Sequence, residues 1–119
     1  MAEGLARAIL PTTVSVESAG LYPGEVHPWT IEVMREIGID ITSHRSKKLE
    51  AVSGESYDTI VILAEPTVEA TQIIQANKRL HWFHPDPAKD PGTEEEVKTR
   101  LRRVRDEIKD RIETWAVTL

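Results

Sequence analysis

From Thr93 onward, apolar residues recur every three or four positions: Val97, Leu101, Val104, Ile108, Ile112 and Trp115. That period places them on one stripe of a long amphipathic helix. Thr93 and Glu96 have capping-box spacing, and Glu94 and Glu95 suit the positive end of the helix. A second helical pattern opens at Pro28 and closes at Gly38, with Ile31, Met34 and Ile37, and Val33 beside them, as its buried stripe. Met1 to Leu10 predicts another helix, carried by Ala2, Leu5, Ala8 and Ile9 and stopped by Pro11. Nothing ahead of it offers an N-cap side chain.

Other stretches carry strand signals. Thr13 to Glu17 is rich in β-branched residues and predicts a short strand. Ser18-Ala19-Gly20 ends it, and Tyr22-Pro23-Gly24 is turn chemistry. Asp40 to Gly54 reads as polar and irregular. Thr59 to Ala64 is a continuous apolar run, the pattern of a parallel strand covered on both faces. Pro66 predicts the start of a third helix, through about Ala76, and Arg79 to Phe83 a further short strand. His84 to Gly92 holds three prolines and reads as loop. Helices alternating with strands predict an α/β fold with a parallel sheet. No repeat or linker interrupts the chain, so residues 1–119 read as one domain.

Composition narrows the partners. The formal net charge is −5, which disfavours nucleic acid, since binding phosphates needs a basic face. Arg45, Lys47 and Lys48 make one short basic spot that reads as a solvated turn. There is no cysteine, so the sequence holds no disulfide, thiolate nucleophile or cysteine zinc site. No apolar run approaches the ~20 residues of a membrane span. No signal-peptide pattern is seen either, so a cytoplasmic protein without membrane contact is expected.

The richest chemical stretch is His84-Pro85-Asp86-Pro87. A carboxylate between two prolines sits on a stiff loop after a strand, near the strand end where α/β sheets bind ligands. Such an Asp can serve as general acid, although a solvated turn residue is the more ordinary reading of the local sequence. His81 and His84 with Asp86 suggest a metal site, but residues three apart on a strand face opposite sides. Two half-exposed histidines are the plainer reading. His44 and the serines carry no Gly-x-Ser-x-Gly elbow, and no glycine-rich nucleotide motif is present. No cofactor or metal is expected.

Several stretches together resemble one family. Met1-Ala2-Glu3-Gly4, Ser18-Ala19-Gly20, Val33-Met34-Arg35-Glu36-Ile37-Gly38-Ile39-Asp40, Ser43-His44-Arg45-Ser46 and Tyr57-Asp58 resemble the low-molecular-weight tyrosine phosphatase family. Pro85-Asp86-Pro87-Ala88-Lys89 followed by Gly92-Thr93-Glu94-Glu95-Glu96 is similar to its thioredoxin-coupled arsenate reductase branch. The resemblance implies a three-layer fold, a parallel sheet flanked by helices. It also implies that Asp86 matches the family's general acid.

The departures from that pattern matter as much. The family places a first strand and a Cys-x5-Arg loop just before the Met-Ala-Glu helix. That loop wraps an oxyanion with backbone N–H groups and activates the thiolate. The sequence starts just after that point, which suggests a truncated relative or a misassigned gene start. Where the arsenate reductases carry further cysteines, it has Ala64-Glu65-Pro66. The expectation is therefore a family member inactive as given, with Asp86 vestigial. The alternative is a binding or regulatory protein that assembles through an open sheet or the long helix. The absent strand would lie between those at Thr13–Glu17 and Thr59–Ala64. Its absence favours a homodimer through the exposed sheet edge over direct pairing of the two.

Overall fold

The computed structural model describes residues 1–21, 25–45 and 47–119. The turn expected at Tyr22-Pro23-Gly24 lies outside the described residues, as does Ser46. Two compact units make up the chain. One comprises Met1–Glu17, Val26–His44 and Asp86–Leu119, and the other Ser18–Glu25 and Arg45–Pro85. The α/β class and the parallel strand pairing are as the sequence predicts.

The first unit is helical. Its helices are α1 (Ala2–Ile9), α2 (Pro28–Arg35) and α3 (Glu94–Ala116). In α1 the backbone approaches its surroundings closely. A Cβ on Gly4 would stand 2.6 Å from Ile41 Cγ2, so only glycine fits without movement. Helix α2 begins with Pro28 at its first position, and the His27 Nδ1 accepts a hydrogen bond from the Trp29 N–H at 3.1 Å. The turn that follows it closes on Gly38 at φ +81°. The Gly38 N–H reaches the Arg35 carbonyl at 2.9 Å and the Ile39 N–H reaches the Met34 carbonyl at 3.1 Å, the paired bonds of a Schellman motif.

Helix α3 is capped as expected: the Thr93 hydroxyl accepts from the Glu96 N–H at 3.2 Å and donates to the Glu96 carboxylate at 3.1 Å. Its predicted stripe buries Val97, Leu101, Ile108 and Ile112. Val104 and Trp115 are only half-buried, and Arg105 is buried instead. Val33, Val97 and Leu101 form a core cluster on which Trp29 and Ala88 pack. Arg105 is satisfied there by the Val33 carbonyl at 2.8 Å, Glu36 at 2.9 Å and Asp106 at 2.8 Å.

The second unit carries the sheet. Strands β1 (Ser56–Ile62) and β2 (Gln75–His81) pair in parallel, Ser56 opposite Gln75 and Ile62 opposite His81. The pairing runs on past the strands through the Trp82 N–H to the Ile62 carbonyl at 2.9 Å, and the His84 N–H to the Leu63 carbonyl at 3.0 Å. Leu49, Val52 and Ile74 form this unit's core cluster.

Several sequence expectations are corrected. Thr13–Glu17 is not a strand. Val14 and Val16 are half-buried while Thr13, Ser15 and Glu17 are exposed, so the alternation is present. A strand also needs a ladder, and among the described residues the sheet holds only two strands. The Val16 carbonyl instead accepts from the Arg7 guanidinium.

The third helix is absent too. Glu65–Thr67 and Ala70–Ile73 are separate 3₁₀ turns. β2 claims Gln75 and Ala76, which leaves a short segment rich in β-branched residues that cannot repay α-helix nucleation. The Thr67 and Thr71 hydroxyls bond back to the carbonyls three residues earlier, at 2.6 and 2.8 Å, and hold the tighter turns. Arg79 braces the segment from β2, donating to the Thr71 carbonyl at 3.0 Å and to the Ile74 carbonyl.

Both sheet strands also start earlier than predicted, β1 at Ser56 and β2 at Gln75. Ile60 and Val61 are only half-buried rather than covered on both faces. Ser18-Ala19-Gly20 does not close a strand either. Gly20 instead forms a lone parallel bridge with Lys48.

Among the described residues, no helix is long and apolar enough to cross a membrane.

Candidate functional site

The loop at Asp86 is built from its own sequence outward. Pro85 and Pro87 fix φ on either side of the carboxylate. The Asp86 Oδ1 then accepts from the Ala88 N–H at 3.0 Å, two residues on, and closes an Asx turn. The Lys89 N–H reaches the Asp86 carbonyl at 3.2 Å, so side chain and backbone fold the same turn. Asp86 itself is exposed. One carboxylate oxygen is thereby oriented by the chain, on a rigid loop at the surface.

A side chain from α3 completes the loop. The Arg100 Nε donates to the Pro87 carbonyl at 3.1 Å, and its Nη2 donates to the Asp90 carbonyl at 2.7 Å. Gly92 is not needed for this approach: a Cβ there would make only ordinary contacts, 3.4 Å from Glu96 Cβ and 3.6 Å from Arg100 Nη2. Sequence reading missed Arg100. It lies beside Leu101 at the edge of the apolar stripe, and its partners at Pro87 and Asp90 are distant in sequence. Arg105 was missed as well, although a signal existed. It falls four residues after Leu101 and three before Ile108, on the buried stripe itself.

The histidines do not assemble into a site. The His81 ring stacks on Phe83 with centroids 5.3 Å apart. Among the described residues, no group of three or more His, Asp or Glu side chains is placed to hold a metal ion. His44 Nδ1 pairs with Glu3 at 3.4 Å. Asp40 serves its own turn, its Oδ1 accepting from the Thr42 N–H at 2.9 Å and the Thr42 hydroxyl at 2.7 Å. Those two bonds hold its carboxyl below the usual aspartate range.

Two open grooves accompany these features, one in each unit. A groove of about 290 Å³ in the helical unit is lined by Gly4, Arg7, Ala8, Gly38, Asp40 and His44. Arg7 is already engaged by Glu3 at 3.2 Å and by the Val16 carbonyl. A groove of about 630 Å³ in the sheet unit lies over Glu65, Glu69, His81 and Phe83. Neither contains a thiol, because the sequence has none.

Comparison with known proteins agrees with the resemblance seen in the sequence. Residues 1–119 match the model of the low molecular weight phosphotyrosine protein phosphatase family. The arsenate reductase of Halalkalibacterium halodurans is 40% identical, over 99% of this chain and 86% of that protein. The arsenate reductase of Bacillus subtilis is 35% identical over the same shares. A solved arsenate reductase in the reduced state superposes with a TM-score of 0.77 and 27% identity, covering 99% of this chain and 86% of its own. One in the oxidised state has a TM-score of 0.78 at 24% identity, a likeness of fold, over 98% and 86% of the two chains. The chain belongs to the low molecular weight phosphotyrosine protein phosphatase family.

Proposed function

We propose that these 119 residues form an arsenate reductase-like member of the family that carries out neither phosphatase nor arsenate reductase chemistry by itself. The observation that carries this is the absence of any cysteine. Phosphoryl transfer in the family runs through a thiolate, and reduction of arsenate needs thiols as the electron source. A general acid alone has nothing to protonate, because no leaving group forms without the nucleophile. Catalysis is lost as a unit when one member of such a constellation is removed. Asp86, the match to the family's general acid, is then a retained but idle group. A cytoplasmic setting is part of the same proposal.

The test is an assay of the purified chain with an aryl phosphate, and separately with arsenate plus a thiol reductant. No turnover above buffer is expected. A rate of about 1 per second or more that survives repurification would overturn the proposal.

A second reading, a protein that works by assembling, is favoured by the sheet. Each strand has one neighbour among the described residues, and Ile60 and Val61 on β1 are only half-buried. A strand edge of that kind accepts another strand. In this reading a second copy of the chain pairs there and forms a symmetric dimer. Light scattering across a dilution series checks it: a dimer mass at micromolar concentration is expected, and a stable monodisperse monomer would rule it out.

A further inference from the structure

We infer that Arg100 is a positioning residue for the Asp86 loop, holding the acid's turn in shape from helix α3. This deepens the reading of Asp86 as the match to the family's general acid, and it rests on that reading. The geometry carries it. One guanidinium spans two carbonyls on either side of Ala88 and Lys89, Pro87 at 3.1 Å and Asp90 at 2.7 Å. The residues between those two anchors supply the N–H groups that close the Asp86 turn, Ala88 to Oδ1 and Lys89 to the carbonyl. Fixing both ends of so short a span leaves the turn little freedom.

Arg100 is itself half-buried and mounted on a capped 23-residue helix. Ala88 packs on the Val33, Val97 and Leu101 cluster, which fixes the middle of the loop against the same helix. The guanidinium suits this task because its donors form a rigid planar fork, whereas an ammonium is a single point. The carboxylate's orientation is therefore set by the Asx turn, the Arg100 clamp and the seat of Ala88 on the core cluster.

The experiment is amide hydrogen exchange by NMR on the full chain and on Arg100→Ala, Arg100→Lys and Arg103→Ala. Arg103 is an exposed neighbour on α3 and serves as the control. In Arg100→Ala the Ala88 and Lys89 amides should exchange about tenfold faster or more, the loss expected for charge-assisted bonds. The amides of α3 and of β1 should stay as they were. Arg103→Ala should change nothing in the loop, and Arg100→Lys should recover only part of the protection.

Unchanged exchange at Ala88 and Lys89 in Arg100→Ala would overturn the inference. Full recovery in Arg100→Lys would overturn the two-carbonyl clamp. If Arg100→Ala unfolds globally, Arg100→Lys decides by the same amides. The two failures read differently: turnover by the unaltered chain overturns the inactivity proposed above, whereas unchanged loop exchange overturns the role of Arg100.

Discussion

The helical unit and the sheet unit are built from the same kinds of residues to different degrees of completion. In the helical unit, Leu5, Val33, Met34 and Ile41 are fully buried, and polar groups that enter the core find partners. Arg105 reaches a carbonyl and two carboxylates, and Arg102 grips Glu36 with Nε at 3.0 Å and Nη2 at 2.9 Å. In the sheet unit the buried apolar residues Ile62, Ile74, Leu49 and Val52 keep 2–8% exposure, and Ile73 is 57% exposed. The difference follows from how each element is satisfied. A helix closes its own backbone bonds and needs a partner for one stripe only. A strand leaves all of its backbone groups to neighbours, half along each edge. Helices therefore reach a finished state from local pattern, whereas a two-stranded sheet stays open at its edges.

The largest expected effect is in the finished unit. Leu101→Ala should cost about 2–5 kcal/mol in denaturant unfolding, since it empties a fully packed site. The matching change in the sheet unit, Ile60→Ala, should cost about half as much, because that side chain is only half-buried. Equal costs would break the contrast.

Gly4→Ala comes next. In an exposed helix this change stabilises by ~1 kcal/mol. Here the added methyl meets Ile41 at 2.6 Å, so a net loss of about 1–3 kcal/mol is expected instead. A stabilised Gly4→Ala variant would show that α1 is packed more loosely than described.

Glu36→Gln tests the ion-pair network and has a pH signature. The Arg102 hydrogen bonds, with help from Arg105, hold the Glu36 carboxyl below its ordinary value of 4.5. A depressed carboxylate stabilises the fold above that value, and the contribution is lost as pH falls through the folded pKa. Glu36 is substantially exposed, so solvent screening limits the effect to about 1 kcal/mol or less at pH 7. Parent and variant should converge in stability as the pH is lowered from 5 to about 2. A gap that stays constant over that range would remove the network's role.

Asp86→Asn should matter least, within about 0.5 kcal/mol, as at most surface positions. Asparagine keeps an Oδ1 that can accept from the Ala88 N–H, so the Asx turn survives. A large loss of stability would mean that the charge itself is structural, and the general-acid match would lose its basis.

The same contrast explains what could be read beforehand. The N-terminal cap of α3, most of its stripe and the Gly38 stop of α2 are legible, because caps and periodicity are local. The predicted strand at Thr13–Glu17 and helix at Pro66–Ala76 failed where a tertiary partner decides. The first has strand alternation but no ladder, and the second lost its end to β2. Asp86 was legible as a loop carboxylate between prolines. Arg100 was not, because its partners at Pro87 and Asp90 depend on where the loop folds back against α3. Arg105 is legible once the stripe is extended through a charged residue, since it falls between Leu101 and Ile108 at helical spacing.

The proposed inability of this cysteine-free chain to form a phosphoenzyme is tested most directly by a single-turnover experiment. Protein in excess is mixed with an aryl phosphate, and release of the phenol is followed alongside intact-protein mass. The expected result is no burst of phenol and no mass increase from a phosphorylated protein. A burst approaching one equivalent, with a phosphoryl adduct on the chain, would contradict the account.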